Sequence, residues 1–430
     1  MNKIPSGQQR TADLSRRHLL GAGAALAASS LASPFNWTGP AAAADDTPEI
    51  VMDGHVHIVN RIYWEGIDPW QPTRQGWDYA RARAAGVNCI IDNIGAYGYW
   101  NYNYTPKQAL RLIDTLLKFS DSHSDKMAIA LSPADARRIV GSGRLAVFIG
   151  CESGFDHEGD PNVLDALYRL GLRSVQFATQ TGFNAFTDSA LAQIQGGQDP
   201  NHYGGINEQG RKLVDQMNQL GILIDIAHGT EAVQKQLIEA SRAPVVASHE
   251  TVKAVSGAGL TDEVLKALAG KGGLIGIHGA AAVVGKRYRQ WMTDHPEGAA
   301  NAGKAVFGMV GYQPSFTRPP GDRGEFIARM DREFRERWMA LADWKEDPSA
   351  LPFLPTIDEW AAHVDYVIKL VGPDHVAVGL DMVAGRSSVP PDPSGYPDLI
   401  AALKRITTPE NVRRILGENW MRVLGQAKAA

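Results

Sequence analysis

Residues 204–249 read GGINEQGRKLVDQMNQLGILIDIAHGTEAVQKQLIEASRAPVVASH, two helix-period segments that each lead into a short apolar run. The segments at 206–221 and 230–242 open on Asn207 and Thr230, residues whose side chains cap free backbone N–H groups, and the first closes on Gly221. The runs ILIDIAH (222–228) and PVVASH (244–249) are apolar almost throughout. That pattern suits strands covered on both faces, as in a parallel sheet whose crossovers are helices.

Outward from this stretch the pattern repeats. EIVMDGH (49–55), NCIIDN (88–93), LAVFIGCE (145–152), RSVQFAT (173–179), GLIGIH (273–278) and HVAVGLD (375–381) are six further runs, separated by helical segments such as 261–272 and 356–372. Eight βα units in this order predict an α/β fold, a (β/α)8 TIM-type barrel. At 430 residues the chain has room for one such barrel. Its composition, 44% hydrophobic and 21% charged, is that of a globular protein, and a net charge of −4 provides no basic surface for nucleic acid.

The N-terminal stretch differs. Ser15, Arg16 and Arg17 precede an Ala/Gly-rich apolar run, with small residues at Ala42 and Ala44. This reads as a twin-arginine signal peptide, residues 1–44, cleaved near Ala44, which predicts passage through the Tat export machinery and a periplasmic mature domain at 45–430. No other segment is apolar enough to span a bilayer, so no stable membrane span is expected after cleavage. Cys89 and Cys151 both fall in strand-like runs and read as buried thiols, with pairing in an oxidising compartment left open.

Each predicted strand ends in a polar or ionisable residue: His55 and His57, Asp92, Glu152, Thr179 with Gln180, His228, His249, His278 and Asp381. In a barrel of this type those ends converge on the mouth where active sites form. Buried charges need partners, and a metal cluster supplies them. His55, His57, His228 and His249 offer imidazole nitrogens, while Glu152 offers a carboxylate able to bridge two cations, a donor set for Zn²⁺ or another divalent metal. Two such ions activate water against an amide carbonyl, and Asp381 stands where it can move the proton. His278 and Asp92 read equally well as supporting polar groups. His363 falls in a helical segment as a surface or helix–helix residue, and His157, between Asp156 and Glu158, as part of a solvated loop. No H-E-x-x-H helix, G-x-S-x-G elbow or thiolate zinc site is present.

The opening stretch, together with DGHVH (53–57), IGCESG (149–154), DHVAVGLD (374–381) and the tail YPDLIAALKRITTPENVRRILGENWMRVL (396–424), resembles the renal (membrane) dipeptidases. These are M19-type metallopeptidases of amidohydrolase-like barrel fold, and the resemblance runs from about Asp53 to the C-terminus apart from one insertion. It implies two zinc ions and hydrolysis of dipeptides or small peptide-like substrates. It further implies that His55 is the first ligand of one metal, Glu152 the bridging carboxylate, His228 and His249 ligands of the second metal, and Asp381 the catalytic carboxylate. Three departures stand out. His57 occupies a position where the family has Asp. Thr179 and Gln180 stand where it has a substrate-binding His. The segment VSGAGLTDE (255–263) is two residues shorter than its counterpart and lacks the Arg that would bind a substrate carboxylate. Losing that charge-assisted contact weakens binding of ordinary dipeptides. An alternative reading is therefore a family member that acts in periplasmic maturation of a peptide product such as a siderophore, without dipeptidase activity. The insertion at 283–345 leaves the barrel on the mouth side. With the aromatic stretch IGAYGYWNYNY (94–104) it would form a lid or a homodimer contact, with Tyr97, Thr179, Gln180 and His278 as substrate-binding candidates.

Overall fold

A computed structural model describes residues 50–95, 104–152, 155–178, 184–190, 199–297, 332, 335–336, 339–383 and 385–429. The signal segment, Tyr97, Thr179, Gln180 and much of the insertion lie outside these residues.

Among the described residues, nine strands form one parallel sheet: β1 (Met52–Val56), β2 (Cys89–Gly95), β3 (Met127–Ile129), β4 (Leu145–Glu152), β5 (Leu172–Gln176), β6 (Leu223–Asp225), β7 (Val246–Glu250), β8 (Leu274–Ile277) and β9 (Val376–Val378). Eight of them follow the order β1-β2-β4-β5-β6-β7-β8-β9 and curl into a nearly closed TIM-type barrel. The ninth, β3, is an addition to the predicted set: three residues pairing with the first half of β4, on the edge whose second half pairs with β5. The predicted helices form where their caps lie. Asn207, Thr230 and Thr261 each accept a backbone N–H from the first turn, and Thr356 with Glu359 closes a capping box.

Alternation divides the core into two layers. Leu145, Val147, Ile149 and Cys151 of β4 face the helices, while Ala146, Phe148 and, by the same alternation, Glu152 face the barrel interior. The interior is closed from below by the helix at Asn419–Ala429, whose Trp420 donates its indole N–H to Val378 O at 2.9 Å. Gly54 makes room for that ring, since a Cβ there would lie 2.0 Å from it. Cys89 faces the interior opposite Ala146, whereas Cys151 faces the helices opposite Ile94. Five registers, roughly 16 Å at strand rise, and opposite faces separate the two thiols, so they cannot pair.

No ladder joins β9 to β1 among the described residues. One backbone bond, Asp381 N to His55 O at 3.1 Å, and a carboxylate close that seam. Asp53 accepts His55 N at 3.2 Å, Leu380 N at 3.0 Å, Trp77 Nε1 at 3.2 Å and Tyr396 OH at 2.8 Å. Burial pushes its carboxyl up to about 6 against these four donors, which keep it ionised at neutral pH.

Two readings are settled in particular ways. His363 is a helix–helix contact and not a surface residue: wholly buried in the helix Ile357–Val371, it accepts Val252 N at 3.0 Å and donates to O of Val284, the last residue of the helix Ala281–Val284, at 3.3 Å. His157 is half-buried rather than solvated, and burial pushes its imidazole down to about 4. Of the insertion, the described ends pack on the barrel. Glu346 accepts Tyr288 OH and Ser387 Oγ, each at 2.7 Å, and no described helix is long and apolar enough to cross a membrane.

Candidate metal centre

Strict alternation alone would not build this site. In β1 four residues (Asp53 to Val56) span three of β2 (Ile90 to Asp92), a bulge that turns Gly54 and His55 to the interior in succession and leaves His57 on the same side. In β7, Ala247 to Glu250 spans Ile275 to Ile277, so Ser248 and His249 also point inward in succession. The second bulge needs space: Ser248 O lies 2.1 Å from a Cβ built at Gly276 and 1.9 Å from one at Gly379. Both positions admit only glycine.

The ligand atoms then converge. His55 Nε2 and His57 Nε2 are 3.0 Å apart, and His57 Nε2 lies 2.7 Å from Glu152 Oε2 and 3.5 Å from Asp381 Oδ1. On the other side His228 Nε2 is 2.9 Å from Glu152 Oε1 and 3.0 Å from His249 Nε2. Two donor groups result, His55–His57–Asp381 and Glu152–His228–His249, with the two Glu152 oxygens facing one group each. Among the described residues, His228 (φ 62°) and Asp381 (φ 48°) are the only non-glycine residues with positive φ. Backbone strain of this kind persists where the surroundings enforce it, and here it falls on two candidate site residues.

Outer contacts hold the rings. His57 Nδ1 donates to Asn93 O at 2.8 Å, which turns Nε2 toward the cluster as the atom that could ligate. His55 Nδ1 and His249 Nδ1 both meet Ser248 Oγ at 2.8 Å. Arg386 donates to the side chain and backbone carbonyl of Asp381, and His278 Nε2 lies 3.6 Å from the same carboxylate oxygen, Oδ2. Asp381 Oδ1 is buried with no hydrogen-bond partner and faces the cluster.

Electrostatics follow from packing these groups together out of water. Burial pushes the Glu152 carboxyl up, but His57 and hydrogen bonds from His228, His249 and His55 outweigh it and hold the group well below the usual range. Burial likewise opposes ionisation of Asp381, and Arg386 with the neighbouring histidines overrides it. His249 rises to about 9 and His57 also rises, since Glu152 and Asp381 more than offset burial. His55, buried beside His249, falls to about 4. His278 falls well below its ordinary value through burial and the Arg386 charge.

The donor set fits divalent metals. Four imidazoles and two carboxylates of borderline-to-hard character, fixed by outer hydrogen bonds and with one buried carboxylate oxygen unpartnered, match the nitrogen/oxygen donor sets that hold divalent metals. Of the residues singled out in sequence, the structure brings together His55, His57, Glu152, His228, His249 and Asp381, with His278 at their edge. Asp92 does not join them. It shares the helix-facing side with Ile90 and Ile94 and accepts Val59 N at 3.1 Å and Tyr79 OH at 3.3 Å, a core polar group. Sequence reasoning missed Ser248, Asp225, Asn93 and Arg386. The first two stand one and three residues before candidate ligands, but only the bulge turns Ser248 inward.

The family description "Membrane dipeptidase (Peptidase family M19)" matches residues 47–430. Dipeptidase tcpJ of Claviceps purpurea is 26% identical over 402 residues, covering 88% of this chain and 77% of that protein. Dipeptidase verJ of Clonostachys rogersoniana is 25% identical over 323 residues, covering 74% of this chain and 64% of that protein. Among solved structures, the probable dipeptidase PvdM from Pseudomonas aeruginosa superposes with a TM-score of 0.66 at 21% identity, over 88% of this chain and 96% of its own. A metallopeptidase from Rhodobacter sphaeroides liganded with a phosphinate mimic of the dipeptide L-Ala-D-Ala gives 0.61 at 20% identity, over 88% and 99%.

Proposed function

We propose, from the premise that this chain belongs to the membrane dipeptidase family, Peptidase family M19, that it is a binuclear zinc hydrolase exported by the twin-arginine pathway to the periplasm, where it cleaves an amide bond in a dipeptide or small peptide-like substrate. The observation that carries the reading is Glu152, whose Oε2 faces the group containing His55, His57 and Asp381 and whose Oε1 faces His228 and His249. Bound there, two divalent ions supply water activation at neutral pH and Lewis acidity toward an amide carbonyl. The protein does the rest. Glu152 ties the two groups together; His55 and His57 hold one side, His228 and His249 the other. Asp381, held on Oδ2 by Arg386, keeps Oδ1 free to take a proton from the attacking water and pass it to the leaving amine. His228, its side chain 18% exposed, marks the side from which substrate arrives.

The departures at His57 and at 255–263 favour a second reading, in which the same centre acts on a larger or modified peptide during maturation of a product such as a siderophore. One measurement separates the two. Metal analysis of the purified mature protein is expected to find up to two equivalents of zinc, and a panel of L,L- and L,D-dipeptides is expected to show turnover that chelation abolishes. Absence of bound metal defeats the hydrolase reading; bound metal without dipeptide turnover moves the assignment to maturation.

A further inference from the structure

Ser248 lies outside both donor groups, yet it touches one ligand of each. Its Oγ is 2.8 Å from Nδ1 of His55 and 2.8 Å from Nδ1 of His249, whose rings lie with centroids 3.8 Å apart and planes tilted by 38°. The same hydroxyl donates to Asp225 Oδ2. Asp225 Oδ1 is occupied separately, by Ser248 N at 2.9 Å and Ala227 N at 3.0 Å. All of these groups are buried. A hydroxyl carries one proton and two lone pairs. With its proton given to the carboxylate, Ser248 can only accept from the two rings, so both Nδ1 atoms must carry hydrogen and Nε2 of each ring is the atom left to offer a lone pair on the metal side. A cation enclosed by His55, Asp225 and His249 would need the place this hydroxyl fills.

We infer that the Asp225–Ser248 pair is a single positioning device that sets the tautomer of one histidine ligand in each half of the centre. The inference rests on the metal-hydrolase reading for its consequence, but the proton positions themselves do not depend on it.

The geometry makes a sharp distinction between two variants. In Asp225→Asn, two backbone donors require the carbonyl oxygen at the Oδ1 place, so the amide NH₂ must face Ser248 and donate to it. The serine proton then turns to one of the two rings, and that ring holds its hydrogen on Nε2 and cannot ligate through it. In Ser248→Ala both rings lose their acceptor, whereas Ser248→Thr keeps the hydroxyl.

The test uses the full mature chain with ¹⁵N-labelled histidine, zinc-loaded and metal-free. Long-range ¹H–¹⁵N spectra give the tautomers, and competition with a chelator gives the affinity of each zinc equivalent. In the wild type, Nδ1 of His55 and of His249 is expected to carry hydrogen. Asp225→Asn is expected to move one of them and to weaken one zinc equivalent roughly 10–100-fold while sparing the other; Ser248→Ala weakens both, and Ser248→Thr restores them. Two equivalents weakened equally in Asp225→Asn, or neither weakened, overturns the inference. So does a wild-type His55 or His249 with hydrogen only on Nε2, a result that stands even if a variant fails to fold. Wild-type protein that binds no zinc but shows both Nδ1 protons defeats the hydrolase reading and leaves the device intact.

Discussion

The two ends of the barrel obey opposite rules. At the floor, Ile50, Met52, Phe148, Leu223, Val246 and Leu274 alternate regularly inward and meet Trp420 in an apolar plug. At the mouth the alternation is broken twice by bulges, two residues adopt positive φ, and six ionisable side chains crowd together. The floor stores stability in burial, whereas the mouth spends some of it on holding like and unlike charges out of water. Function in this chain is built where the sheet departs from its own regularity.

Substitutions can break that contrast from either end. The largest effect is expected from Glu152→Gln, which removes the one carboxylate facing both donor groups: metal-dependent turnover should fall on the order of 10³-fold or more, with zinc lost on dialysis. Trp420→Ala should do the converse. Emptying the plug should cost about 3–5 kcal/mol in denaturant unfolding while zinc content per folded molecule stays unchanged. Gly276→Ala tests the boundary between the ends: its methyl meets Ser248 O, so a loss of about 1–3 kcal/mol should come together with weaker zinc binding through His249. An alanine that left zinc affinity intact would show that the β7 bulge does not position the ligand.

The smallest effect expected is a pH dependence confined to the mouth. His249, faced by Glu152, Asp381 and Asp225, has its folded-state pKa raised from 6.5 to about 9. Its contribution to stability of the metal-free fold is therefore complete below pH 6.5 and lost as pH rises through about 9. Zinc must displace that proton, so zinc affinity should climb by up to roughly tenfold per pH unit between 7 and 9, read by chelator competition. Trp420→Ala should leave this profile where it is; a profile flat over that range would remove the proton from His249.

Much of the barrel was legible because long apolar runs and helix caps are local signals. The eight strands with Thr- and Asn-capped helices between them needed no tertiary information. β3 was not, since MAI is too short to show a period and exists by pairing with half of β4. The strand-end rule found the histidines and carboxylates of the site, yet it also swept in Asp92, because a rule about ends is blind to which face a residue occupies. Ser248 and Asp225 were hidden for the converse reason. Their direction is set by a bulge, and that bulge depends on a glycine in β8, at 276, and on another just after β9, at 379. For His363 the sequence left surface and helix–helix contact open because its partners, Val252 and Val284, are 111 and 79 residues away.

The seam at Asp53 has a consequence in time. Its contacts reach across 327 residues to Leu380 and 343 to Tyr396, and Asp381 joins His57 over a similar span. During synthesis at 5–20 residues per second, the first strand waits roughly 15–65 s for its closing partner. Throughout that interval β1 presents an open edge and an incomplete cluster at the mouth. The barrel and its candidate metal site are therefore finished by the same event, the arrival of the last strand, and a chain truncated before Leu380 has neither.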